Sequence, residues 1–395
     1  MKMRNLLISI AATALLAVPV QAAPIDDFFA RANQYLAELD GSLSYAIGPG
    51  YDANTTGLQP LVLTSPDGTA VTLGEKAYVS SVTTLPGDLL YAQGLHISNF
   101  DRTEDGTRVR VGALIADVLL PPLGMTDPML LAQGIAGLSL FDFTLESSGV
   151  TVSFDSASYF LNVLPERGSA DPATFESTVA LDGFLVTKSL LDKVGAPPVL
   201  APLIGRKVDL DIRFNWRRDT GAIDPFSIEI GSPDFGDLAF SVGLNGITQE
   251  LLTALAEIGQ ARAIGTTDTD GAALQAKLIP LFSQVTVSAI FSGIFNEGGA
   301  AIVLDQVAQE TGQSTTKLIQ SASTGLRDTL LANELDTLAL PAGDALSAAL
   351  SDGGGVIISG YPATPPSVLE LIALQTPKAI AARLDLQAKY DEPTP

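Results

Sequence analysis

The chain of 395 residues carries 44 Asp plus Glu against 22 Lys plus Arg, a formal net charge of −22, and no cysteine. That charge repels nucleic-acid phosphates and anionic headgroups at long range, and the lack of cysteine excludes disulfides and thiol chemistry. With 46% hydrophobic residues the chain is no disordered polymer; its apolar surface must be buried in a core, in a partner or around a greasy ligand.

Lys2 and Arg4 precede an apolar run from Leu6 to Val20, shorter than the ~20 residues of a comfortable bilayer span. Val20-Gln21-Ala22 supplies the small residues that signal peptidase needs, so residues 1–22 read as a signal peptide cleaved after Ala22. The expected location is the periplasm, with no lipoprotein anchor and no transmembrane segment after cleavage. Asp26 to Leu39 then reads as a helix, with Phe28, Ala32, Tyr35, Leu36 and Leu39 on one stripe and Gly41 as its stop.

A hairpin pattern follows. Ser65-Pro66-Asp67-Gly68-Thr69 and Thr103-Glu104-Asp105-Gly106-Thr107 both lead into alternating residues, and Glu146-Ser147-Ser148-Gly149-Val150 is a looser copy. Gly94-Leu95-x-Ile97 and Gly137-Leu138-x-Leu140 precede the last two, as do Phe100 and Phe143. A unit repeated at about 40 residues extends a sheet by adding similar hairpins; the bland alternative is a set of independent Asp-Gly turns in a meander.

The clearest strand runs from Val208 to Trp216. Val208, Leu210, Ile212, Phe214 and Trp216 alternate with Asp209, Asp211, Arg213 and Asn215, as in a sheet with one wet side. Phe226, Ile228 and Ile230 alternate in the return strand, and Leu238, Phe240, Val242 and Leu244 in a third. Thr248 caps a helix, residues 260–272 read as a polar loop, and Val285 to Phe295 is a strand apolar on nearly both faces. Helices are expected over Ala300–Thr311, Ser314–Leu331, Gly343–Leu350 and Pro366–Leu374, with a short strand at Val356–Ser359. Leu384, Leu386, Ala388 and Tyr390 alternate in a closing strand that should rejoin the sheet. Residues 23–298 thus read as a β-rich body, and 299–395 as a helical segment ending in that strand. The fold class expected is α+β: a long, curved antiparallel sheet of repeated hairpins with helices packed on its apolar face.

No constellation for catalysis, cofactor binding or metal binding stands out. His96 is the sole histidine and sits between Leu95 and Ile97, where a solvent-facing strand residue is expected; no Gly-x-Ser-x-Gly elbow supplies a nucleophile for it. Ser314-Thr315-Thr316-Lys317 matches Ser-x-x-Lys, but Ser314 opens a helix and is explained as its N-cap. Thr266-Thr267-Asp268-Thr269-Asp270-Gly271 resembles part of a calcium loop, yet Thr266 and Lys277 stand where acidic ligands are needed. Asp26-Asp27, Asp209 with Asp211, and Glu229 with Asp234 are close acidic pairs of the kind that so acidic a chain contains inevitably. Lys188, Lys193, Arg206 and Lys207 are too sparse for an anion site.

Thr103-Glu104-Asp105-Gly106, Asn215-Trp216-Arg217-Arg218-Asp219-Thr220-Gly221, Gly236-Asp237-Leu238-Ala239-Phe240 and the stretch Val307 to Ser314 together resemble a group of uncharacterised exported proteins of alphaproteobacteria. The group has no assigned activity, so the resemblance transfers no site residues. At the level of repeated amphipathic hairpins alone, the pattern is similar to AsmA-type envelope proteins, which are associated with lipid transport; fold does not fix function.

The function expected is non-enzymatic: binding of lipid or another apolar ligand on the greasy face of the sheet. Leu210, Ile212, Phe214, Trp216, Phe226, Ile228, Phe240 and Val242 form its candidate ligand face. The alternative is an envelope structural or protein-interaction module with a fully covered sheet; a hydrolase is the remote third reading.

Overall fold

The computed structural model of the protein describes residues 22–37, 40–52, 54–85, 88–124, 135–165, 172–196, 198–255 and 278–393. The signal-peptide run up to Gln21, the end of the first helix at Leu39, the loop at 260–272 and the calcium-like hexapeptide lie outside them. The chain divides into two compact units, Met1–Asn162 with Thr178–Leu200 and Val163–Ser177 with Ala201–Pro395.

In the first unit, α1 (Ala22–Ala37) buries Phe28, Ala32 and Leu36 on one stripe. It ends where Asp40 adopts a left-handed φ of 55° and the Gly41 N–H returns to the Leu36 carbonyl at 2.9 Å. Beneath it lie short strands β1 (Ser42–Ser44), β2 (Ile47–Pro49), β3 (Thr56–Leu58), β4 (Val62–Thr64), β5 (Ala70–Thr72), β6 (Lys76–Val79) and β7 (Ser81–Leu85). Long strands follow: β8 (Leu89–Glu104), β9 (Thr107–Leu120), β10 (Ile135–Ser147) and β11 (Val150–Pro165). The core joins Phe28, Phe29 and Leu36 of α1 to Leu58, Leu61, Leu95, Leu114 and Val118. A short helix, α2 (Lys188–Val194), opens at Thr187, whose Oγ1 accepts the Leu190 N–H at 3.2 Å, and closes at Gly195.

The three Asp-Gly-like turns are not equivalent. Asp105 and Gly106 have φ of 48° and 75°, and Ser148 and Gly149 have 51° and 78°, so β8–β9 and β10–β11 are two-residue hairpins with positive φ at both central positions. The Asp67-Gly68 turn joins β4 to β5, which with β1 form a separate three-stranded sheet. Pro66 fixes a negative φ there, and the Asp67 carboxylate instead closes the loop by accepting from Ser65 Oγ (2.8 Å) and the Thr69 N–H (2.9 Å).

A crease crosses the long strands. Asn99 of β8 (φ 54°) and Asp142 of β10 (φ 52°) are left-handed inside their strands and flank Gly112 of β9 on either side. Side-chain alternation reverses there: Ile97 and then Phe100, and Leu114 and then Val111, pack on the same core. Gly183 (φ 66°) in β12 (Pro172–Leu185) lies against Asp155 of β11 and must lack a side chain, because a Cβ would stand 2.2 Å from that carboxylate.

The second unit contains β13 (Lys207–Arg217), β14 (Ala222–Ser232), β15 (Gly236–Asn245), β16 (Thr286–Asn296), β17 (Gly354–Gly360) and β18 (Leu386–Asp391), each antiparallel to the next. Between β16 and β17 run α3 (Gly299–Thr311), α4 (Thr315–Ala332) and α5 (Asp336–Asp352); α6 (Val368–Ala373) and α7 (Pro377–Arg383) precede β18. Ser314, Ser367 and Thr376 cap α4, α6 and α7 by accepting the N–H three residues on. Two expectations are corrected. The helix expected from Gly343 begins at Asp336 and runs through Pro341, which lies in its second turn and leaves one i→i−4 bond unmade there. The closing strand starts at Leu386 and not Leu384, because α7 continues to Arg383 and Asp385 turns the chain with φ 52°.

Among the described residues, fifteen strands hydrogen-bond in the order β18–β17–β16–β15–β14–β13–β12–β11–β10–β9–β8–β6–β3–β2, with β7 also beside β8. The fold is α+β, a long antiparallel sheet that does not close on itself.

Candidate functional site

Strict alternation in β13 and its neighbours aligns apolar side chains of the second unit into rows across the strands. One row is Leu210, Ile230, Leu238, Ile294, Val356 and Tyr390. The next is Ile212, Ile228, Phe240, Ser292, Ile358 and Ala388, and the third is Phe214, Phe226, Val242, Ile290, Gly360 and Leu386. In these rows Ser292 and Tyr390 alone carry polar side-chain atoms, and the Tyr390 hydroxyl already donates to the Gly353 carbonyl at 2.9 Å. The opposite face of β13 and β14 carries Asp209, Asp211, Arg213 and Glu229, with Arg213 paired to Asp211 at 2.8 Å.

The rows are unevenly covered. Ile230, Leu238, Phe240 and Ile294 are 41%, 47%, 38% and 60% exposed, whereas Leu210, Ile212, Phe214, Phe226, Ile228 and Val242 are half-buried. Trp216 departs from the expected ligand face. It is buried, its Nε1–H donates to the Ile247 carbonyl at 2.8 Å, and its ring packs on Phe175 at 5.2 Å between centroids. It anchors the end of β13 and has no surface to offer a ligand. Conversely, Ile294 and Val356 join the face from strands whose own sequence hides it: β16 is apolar on both sides and β17 is short and glycine-rich.

The other candidates resolve into structural roles. His96 lies on the face opposite the buried Leu95 and Ile97 and is half-buried there by aromatic neighbours: the Tyr78 hydroxyl is hydrogen-bonded to Nδ1, the Tyr78 ring meets the imidazole edge-on at 4.5 Å, and Tyr51 stacks on Tyr78. Burial holds its pKa below the ordinary histidine value. Ser314 Oγ accepts the Lys317 N–H at 3.4 Å, which is the cap. Asp26 accepts the Tyr45 hydroxyl; burial first, and this carboxylate second, push the Tyr45 phenol up. Lys188 pairs with Asp192 at 2.8 Å, and Arg206 pairs with Asp234 while lying over the Phe235 ring. Glu229 and Asp234 are therefore not a pair acting together.

In the first unit a cleft of about 440 Å³ opens at the crease, among Glu75, Asn99, Asp101, Arg110 and Asp142. All five side chains are exposed; Asn99 donates to Glu75 at 2.9 Å and Arg108 clamps Asp101 at 2.6 Å. Among the described residues no group of three or more His, Cys, Asp or Glu is placed to hold a metal, and no helix is long and apolar enough to cross a membrane.

Residues 229–391 match a family model described as an uncharacterized protein, a description that assigns no activity. No curated protein matches the chain.

Proposed function

We propose that this is an exported, non-enzymatic protein of the periplasm that binds lipid or another apolar ligand on the uncharged face of β13–β18. The observation that carries the reading is the row Ile230, Leu238 and Ile294, large aliphatic side chains on three adjacent strands left 41–60% exposed in a chain of net charge −22. Exposed apolar patches of this kind mark binding surfaces. A protein interface carries about one hydrogen bond per 100–200 Å² and a polar rim. Three rows whose polar side chains are Ser292 and an already bonded Tyr390 offer little toward that, so an occupant without hydrogen-bonding groups fits better. Native mass spectrometry of protein purified from its own envelope should show co-purifying lipid, together with the mass of a chain beginning at Ala23. A lipid-free mass would overturn the binding reading, and a stoichiometric protein partner would favour an interaction module in its place.

A further inference from the structure

We infer that the ligand is a single acyl chain lying across the strands, along Leu210–Ile230–Leu238–Ile294–Val356, on a lipid whose headgroup has no net negative charge; this rests on the apolar-ligand reading above. Direction follows from the pattern of exposure. The three most open of these aliphatic side chains are cross-strand neighbours, whereas along the strands the openness fades: Phe240 is 38% exposed in the next row, and Phe214, Phe226 and Val242 in the third are half-buried. A hydrocarbon laid parallel to the strands would leave the open row after one residue. Laid across them, it meets one aliphatic side chain per strand.

Length agrees. Neighbouring strands stand ~4.8 Å apart, so the lane from β13 to β17 is about 19 Å long. A bilayer core of ~30 Å holds two chains end to end, about 15 Å each. One chain therefore fits within the lane.

The headgroup assignment comes from charge. The turns beside the open row carry Asp234 and Glu297, with Arg206 there held by Asp234, in a chain of net charge −22; Asp237 alternates with Leu238 and faces the other side of the sheet. A carboxylate or phosphomonoester head would meet this acidic border unpaired, whereas a zwitterionic or neutral head would not.

The test uses the full mature chain with methyl-labelled isoleucine and leucine, titrated with dodecylphosphocholine or with dodecanoate below their micellar concentrations. The expected result is shifts at the methyls of Ile230, Leu238 and Ile294, with dodecanoate at least tenfold weaker. The double variant Leu238→Asn, Ile294→Asn should weaken dodecylphosphocholine binding at least tenfold while keeping the wild-type far-UV circular dichroism and cooperative unfolding at a lowered midpoint, and the milder Ile294→Thr should fall between. Unaltered binding by a folded double variant, or shifts confined to Ile212 and Ile228, would overturn the lane and leave apolar-ligand binding standing. Equal affinity for the two amphiphiles would overturn the headgroup assignment. No binding of either by the wild-type chain would bring down the apolar-ligand reading itself.

Discussion

Ile294 of β16 and Ile357 of β17 are the same residue type on adjacent strands of one unit, facing opposite sides of the sheet: Ile294 pairs with Val356, and Ile357 with Gly293. Ile357 is 5% exposed and Ile294 60%. Replacing a covered isoleucine by alanine costs about 2–5 kcal/mol, the lost transfer energy plus the cavity. Full burial of an isoleucine is worth about 1.5–3 kcal/mol, so a side chain only two-fifths buried loses about 0.6–1.2 kcal/mol at most on truncation. The two substitutions should therefore differ by at least about 1 kcal/mol. Trp216 is the sole tryptophan of the chain and is buried in this same unit, so urea unfolding followed by its fluorescence reports on these strands. Equal m-values would confirm that stability and not compactness changed. If Ile294→Ala costs as much as Ile357→Ala, the face is covered in solution and the reasoning for a binding surface fails.

Three further outcomes follow from local geometry. Gly183→Ala combines a left-handed φ of 66° with a Cβ 2.2 Å from the Asp155 carboxylate, whereas Gly106→Ala has φ 75° and open space; the first should exceed the ~1–2 kcal/mol of left-handed strain that bounds the second, by far-UV circular dichroism in urea. His96 should titrate below the ordinary histidine value in its ring proton resonance, unambiguous because it is the only histidine. With its folded pKa depressed, the unfolded chain binds the extra proton first, so acidification between the unfolded and folded values destabilises the protein; a pKa at or above the ordinary value refutes this. Hydrogen bonding from Arg108 holds Asp101 below the usual carboxylate range, so the pair's contribution is present above the unfolded aspartate pKa and fades as pH falls through the folded one. Arg108→Met should return the Asp101 carboxyl resonance to the ordinary titration range; an unmoved curve would reject the pairing.

Where one face meets water and the other does not, the sequence carries the answer. Val208 to Trp216 alternates without exception, and β13 to β15 were legible from that period alone. The ligand face was legible only in part for the same reason: Ile294 sits among Ile290, Phe291 and Phe295, where apolar residues point both ways and the period vanishes. Trp216 looks like another face residue in its strand. Its burial depends on Phe175 and Ile247, which sequence spacing does not bring together. The crease was hidden because Asn99 and Asp142 pass for polar members of an alternating strand, and it is their left-handed φ that reverses the faces. Strands of three to five residues such as β1 to β7 are too short to establish a period.

The hairpins β8–β9 and β10–β11 carry the same left-handed kink and the same reversed turn at matching places, Asn99 with Asp105-Gly106 and Asp142 with Ser148-Gly149. Each such block, about 40 residues long, contributes an even number of strands and enters and leaves with its oily side on the same hand. Excising or duplicating one whole block would thus preserve both chain direction and facing in whatever flanks it, altering the ribbon's width in steps of about 10 Å. Losing half a block would do neither, so natural variation in this ribbon's reach is expected in pairs of strands.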